Sequence, residues 1–186
     1  MSARGRERVL YSQATIARRT RAVARKIAAA RAKPEIAVPI LAGAFVFAAD
    51  LLRALAREGL DLETEFIWLR SYGRFEKPGD IMVLKPPTEI VRGRTILLID
   101  GVLESGGTLA RAKELLKEAG AGAVISVVAV RKAYPKPLAE ADHILFHAGT
   151  EFLYGYGMDR GGLGRGLPDM RVTLPDKARA TKRARD

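Results

Sequence analysis

The chain has 186 residues, 48% of them hydrophobic and 28% charged, a balance that suits one folded core and excludes an intrinsically disordered protein. It has no cysteine, which removes disulfides, thiolate catalysis and thiolate-bound metals, and its formal net charge of +11 admits nucleic acid, an anionic membrane or a polyanionic small substrate as partner, with simple solvation of the basic ends as the plainer reading. No stretch reaches the ~18 apolar residues of a membrane span, and the basic start, MSARGRERVL, is not followed by a signal-peptide core, so a cytoplasmic protein is expected.

In chain order, residues 12–32 place Ile16, Val23 and Ile27 along one stripe of an amphipathic helix whose other face is basic, with Ser12 as its cap. After Pro34, IAVPILAG reads as a short buried strand, and AFVFAADLLRALAREG as a helix closed by Gly59. ETEFIWLRSYG alternates like a strand, RFEKPGD is a polar turn, and IMVLK is another strand before the PPTE break. ILLIDGVLESGGTLARAKELL supplies a strand and then a helix, and VISVVAVR is the continuous apolar run of a strand buried on both faces. HILFHAG is a further strand; it carries both histidines, His143 and His147, with no acid placed as a third metal ligand. The end, YGYGMDRGGLGRGLP, is irregular and glycine-rich. Alternating strands and helices with short connections predict a single α/β domain over 1–186, with a mainly parallel central sheet flanked by helices. The basic ends, 1–7 and 176–186, are expected to be flexible.

In such folds ligands collect at the carboxyl ends of the strands, where the turn after Leu103 lies. Ser105, Gly106, Gly107 and Thr108 open a helix there, so its free N–H groups and two hydroxyls form a cradle for an anion. Asp100 and Glu104 would repel a bare phosphate; beside one they suit sugar hydroxyls, a magnesium ion or a proton to be removed, and the combination suggests a ribose phosphate. The spacing is neither a Walker loop nor the dinucleotide fingerprint. Ordinary capping of a strand-turn-helix unit is the plainer alternative.

ILLIDGVLESGGTL resembles the phosphoribosyl pyrophosphate motif of the type I phosphoribosyltransferases, and among them of the hypoxanthine-guanine phosphoribosyltransferases. VPILAGAFVFAADLLRAL is similar to their pyrophosphate loop and its helix, FIWLRSYG to the strand entering their mobile lid, and EFLYGYGMDRGGLGRGLP to their purine-binding end. RVLYSQATIARRTRAVARKIA resembles their first helix, so the likeness spans about residues 8–174. The resemblance implies a small hood built from the chain ends, a homo-oligomer, and transfer of phosphoribose to hypoxanthine or guanine with release of pyrophosphate.

It also implies roles. Ser105, Gly106, Gly107 and Thr108 would hold the 5′-phosphate, Asp100 the ribose hydroxyls, and Glu104 would act as general base on the purine. Phe152 would stack on the base and Leu153 bond its edge; Asp159 would hold Mg2+ through water, and Arg165 would bind pyrophosphate. Leu41, Ala42 and Gly43 would form the pyrophosphate loop, bent in the family through a non-proline cis bond, and Ser71 and Tyr72 a lid that excludes water. Without the family, Phe152 and Leu153 read equally as core residues, Asp159 and Arg165 as a solvated loop.

Four positions depart from the family pattern. Gly101 replaces the second ribose-binding acid, Glu104 an aspartate, and Ala42 a common lysine, while the lysine that donates to the purine 6-oxo group maps onto Arg131 or Lys132. The first three fall at the catalytic centre and define a second reading: a weakly active or inactive member of the fold that binds nucleotide or phosphoribosyl pyrophosphate, with RNA met through its basic helix and tail.

Overall fold

The computed structural model describes residues 7–71 and 81–173. Its main sheet is built from β2 (Ile36–Leu41), β3 (Glu63–Thr64), β4 (Ile67–Ser71), β5 (Ile81–Lys85), β6 (Thr95–Leu103), β7 (Ala123–Lys132) and β8 (His143–Ala148). The order is β5-β4-β2-β6-β7-β8, with β3 also paired to β2; every pairing is parallel except that of β5 with β4. α1 (Gln13–Ala29) and α2 (Phe45–Arg57) cover one face, and α3 (Gly107–Glu118) the other.

The two faces share the side chains of the central strand. Leu97 and Ile99 of β6 enter the core beneath α1 and α2, whereas Ile96 and Leu98 enter the core beneath α3. All four are fully buried, which is why the strand reads as a continuous aliphatic run and not as an alternation. The stripe Ile16, Val23 and Ile27 is buried as its spacing predicts, and the Ser12 side chain accepts from the Thr15 N–H to cap α1. Gly59, at φ +77, follows α2 in the left-handed conformation that the reading of its end required.

The segment ETEFIWLRSYG is two strands and not one. β3 pairs with Ile36 and Ala37, and β4 with Ile40 and Leu41, so pairing lapses opposite Pro39. The Ala37 carbonyl accepts from Glu65 N–H on this side; by alternation Pro39, which has no N–H, faces the same side. On the other side β2 pairs with β6 without a break from Ile36 to Pro39.

A second, three-stranded antiparallel sheet forms the expected hood, in the order β1 (Glu7–Tyr11), β10 (Met170–Thr173), β9 (Phe152–Tyr154). This corrects the reading of residues 8–11 as part of the first helix, and of Glu7 as part of a loose end. The glycine-rich run 154–168 is irregular as expected, apart from Tyr154 at the end of β9 and two isolated bridges. Leu153, Met158, Met170 and Val172 join the core beneath α1 and α2, which fixes the hood against that face. The remaining residues of the two basic ends, and the turn RFEKPGD, lie outside the described residues. Among the described residues no helix is long and apolar enough to cross a membrane.

Candidate active site

The carboxyl ends of β2, β6 and β7 point toward the hood, and a cavity of about 410 Å³ lies between them. It is lined by Gly43, Asp100, Glu104, Thr108, Lys132 and, from the hood, Phe152 and Leu153, with Asp159 and Arg165 from the loop beyond. Most of the residues singled out in the sequence therefore meet, though they are scattered over more than 120 positions of the chain.

β6 continues past Asp100 to Leu103, so this acid lies inside the strand, 8% exposed. Its Oδ1 accepts from the Gly101 N–H at 2.7 Å. Burial pushes its carboxyl up to about 6, against the opposing pull of the Gly101 and Val102 N–H groups. Glu104, just beyond the strand, is exposed and accepts from Lys132 Nζ at 2.8 Å.

The next four residues make the turn. Gly106, at φ +78, is where the chain passes closest to the 138–139 segment: a Cβ there would lie 2.7 Å from the Ala139 nitrogen. Only glycine meets both conditions. α3 begins at Gly107 with no side-chain cap on its first residue, and Ser105 Oγ only reaches the Gly107 N–H at 3.5 Å. Thr108 faces the cavity. Ser105, Gly106 and Gly107 are not among the residues that line it, and the start of α3 has no side-chain cap on its N–H groups, a feature suited to an anion.

On the β2 side the Leu41–Ala42 peptide is cis, as the resemblance implied, and Gly43 lines the cavity while Leu41 and Ala42 do not. The Gly43 carbonyl is wedged between two glycines. A Cβ on Gly101 would lie 2.9 Å from its oxygen, and one on Gly157 only 2.5 Å. The acid absent at 101 is therefore absent from a place where the loop leaves no room for a side chain.

Adjacent residues at the end of β7 part company. Lys132, 7% exposed, turns into the cavity, and Arg131 turns away to bind Glu140 with two guanidinium nitrogens, at 3.0 and 2.6 Å. Of the two positions left open by the sequence, the cavity holds the lysine, and Arg131 is corrected to a surface ion pair. Phe152 is 52% exposed at the mouth and Leu153 is buried below it.

Asp159 and Arg165 hold each other: Arg165 Nη2 lies 2.7 Å from Asp159 Oδ1, while its Nη1 donates to the Gly157 carbonyl at 2.7 Å. The other Asp159 oxygen accepts from the Gly162 N–H at 2.8 Å. Ser71 is the last residue of β4, and Tyr72 lies outside the described residues. Among the described residues no group of three or more His, Asp or Glu side chains could hold a metal by itself. Val102 and Met158 also line the cavity; an aliphatic residue reads the same whether it meets core or ligand, so nothing in the sequence marked them.

The chain and its fold have counterparts among known proteins. Residues 6–154 match the family model of the phosphoribosyl transferase domain. Hypoxanthine-guanine phosphoribosyltransferase of Aquifex aeolicus is 32% identical over 88% of this chain and 92% of its own length. A solved hypoxanthine phosphoribosyl transferase of Trypanosoma cruzi is 25% identical, with a TM-score of 0.82 over 99% of both chains. A structure described as the glutamic acid mutant of an invariant aspartic acid in HPRTs is 26% identical, with a TM-score of 0.81 over 94% of this chain and 98% of its own. The chain belongs to the phosphoribosyl transferase domain family, alongside the hypoxanthine-guanine phosphoribosyltransferases.

Proposed function

We propose that this protein transfers phosphoribose from phosphoribosyl pyrophosphate to N9 of hypoxanthine or guanine, giving the nucleoside monophosphate and pyrophosphate. The observation that carries the reading is the Glu104–Lys132 pair, held at 2.8 Å in the cavity that Phe152 and Thr108 also line.

In this reading the purine stacks on Phe152, its edge meets the Leu153 backbone, and Lys132 donates to the 6-oxo oxygen. The 5′-phosphate rests on the N–H groups and hydroxyls of residues 105–108, and Asp100 accepts from the ribose hydroxyls. The N9–C1′ bond forms as the C1′–oxygen bond breaks. Pyrophosphate leaves with the bonding electrons, and Glu104 takes the N7 proton that the purine must lose. Arg165 binds the pyrophosphate, and Ser71 and Tyr72 close over the site to keep water from the oxocarbenium-like centre.

Asp159 offers a hard carboxylate that would hold magnesium through water once pyrophosphate draws Arg165 from it. When bound, magnesium would neutralise the charge that builds on the leaving group. Exposed Phe66, Trp68 and Leu84 on the β4–β5 side support a homo-oligomer.

The test is nucleotide formation by the purified chain with phosphoribosyl pyrophosphate, magnesium and each of hypoxanthine, guanine, xanthine and adenine. Turnover with a 6-oxopurine is expected; binding of phosphoribosyl pyrophosphate without turnover of any base would select the regulatory reading instead.

A further inference from the structure

A second cavity, of about 360 Å³, lies between α1 and α2 and is closed by Tyr156 and the hood residues 166–168. Its volume falls within the roughly 300–1,000 Å³ of small-molecule sites. The floor is apolar, formed by Ile16, Val46 and Ala54, and the rim is cationic, with Arg21 from α1 facing Arg53 and Arg57 from α2. α1 carries Arg18, Arg19, Arg21, Arg25 and Lys26 and no acid, so nothing on this helix offsets the rim.

Two of these three charges are not spent internally. Arg53 is paired with Asp50, whose other oxygen accepts from the Tyr156 O–H at 2.8 Å. Among the described residues Arg21 and Arg57 have no carboxylate partner. Thr20, which lines the cavity, is 2% exposed, and its hydroxyl has no partner at hydrogen-bond geometry, although it lies near that of Tyr156.

We propose that this cavity is a second ligand site, taking a phosphorylated small molecule with a ring or apolar body. The body covers Ile16, Val46 and Ala54 while the phosphate is held by Arg21 and Arg57, whose planar forks match phosphate oxygens. The site adjoins the pyrophosphate loop through two connections. α2 starts two residues after Gly43, and Gly157, next to Tyr156, packs against the Gly43 carbonyl. Tyr156 itself is held at φ +52, a conformation uncommon outside glycine.

The experiment is calorimetric titration of the full chain with adenosine 5′-monophosphate, in parallel with three double variants: R21A/R57A in the cavity, R18A/R25A elsewhere on α1, and S105A/T108A in the first site. Binding should weaken about tenfold or more in R21A/R57A, the loss of a charge-assisted pair, and persist in the other two. Absence of binding at millimolar nucleotide overturns the proposal. So does equal weakening in R18A/R25A, which would mean diffuse attraction, or loss in S105A/T108A alone, which would place the nucleotide in the first cavity. A drop in oligomer size for R21A/R57A in size-exclusion chromatography would also overturn it, by marking the cavity as a subunit interface.

Discussion

Lys132 Nζ donates to Glu104 Oε1 at 2.8 Å, joining the last residue of β7 to the residue that follows β6. The two strands are parallel neighbours, with Leu103 opposite Arg131, so the pair is fixed by sheet register. The lysine is nearly buried and the carboxylate largely exposed, which gives the cavity a tethered cation beside an acid that a ligand can reach.

Glu104→Gln keeps the length of the side chain and removes its capacity to take a proton. Turnover should fall by about 10²- to 10⁴-fold, the usual contribution of a general base. Binding of phosphoribosyl pyrophosphate, followed by calorimetry, should change little. A rate within about threefold of the parent would show that Glu104 does not remove the proton.

Lys132→Met removes both the partner of Glu104 and the donor to the purine oxygen. The KM for hypoxanthine should rise by about tenfold or more, with a smaller change for phosphoribosyl pyrophosphate. In a double-mutant cycle with Glu104→Gln the two losses should be non-additive by about 0.5–3 kcal/mol, as for residues in direct contact. Additive losses would mean that the pair does not act as a unit.

Asp100 makes the stability of the fold depend on pH. Its carboxyl is raised from an ordinary 3.8 to about 6, so between these values the folded chain retains a proton that the unfolded chain has lost. Stability should therefore fall as pH rises through that window, by about 3 kcal/mol in all, and Asp100→Asn should flatten this part of the profile in chemical denaturation. Ribose hydroxyls are bound best by the ionised form, so the KM for phosphoribosyl pyrophosphate should fall as pH rises through about 6, and the variant should lose that trend.

Gly101→Asp would restore the acid of the family pattern, but its Cβ would lie 2.9 Å from the Gly43 oxygen. The substitution should weaken pyrophosphate binding and destabilise the chain by about 1–3 kcal/mol, the cost of overpacking a close contact. Tighter binding of phosphoribosyl pyrophosphate with unchanged melting temperature would contradict the steric account.

Much of this protein was legible in one dimension where local physics decided the outcome. The stripe of Ile16, Val23 and Ile27 needs only helical periodicity, and the aliphatic runs of β6 and β7 need only burial on both faces. The helix start after Ser105 and Gly106 follows from glycine and hydroxyl residues that are adjacent in the chain. Tertiary structure decided what depends on distant partners. β1 is a strand because Glu7 to Tyr11 meet Met170 to Thr173, and the split between β3 and β4 follows from the missing N–H of Pro39 on another strand. Arg131 and Lys132 have similar charge and adjacent positions, and only their alternation across β7 sends one to Glu140 and the other to Glu104. In the sequence Gly101 is a missing carboxylate; in the fold the Gly43 carbonyl occupies the space, because a sequence records which atoms are present and not how closely another segment approaches them.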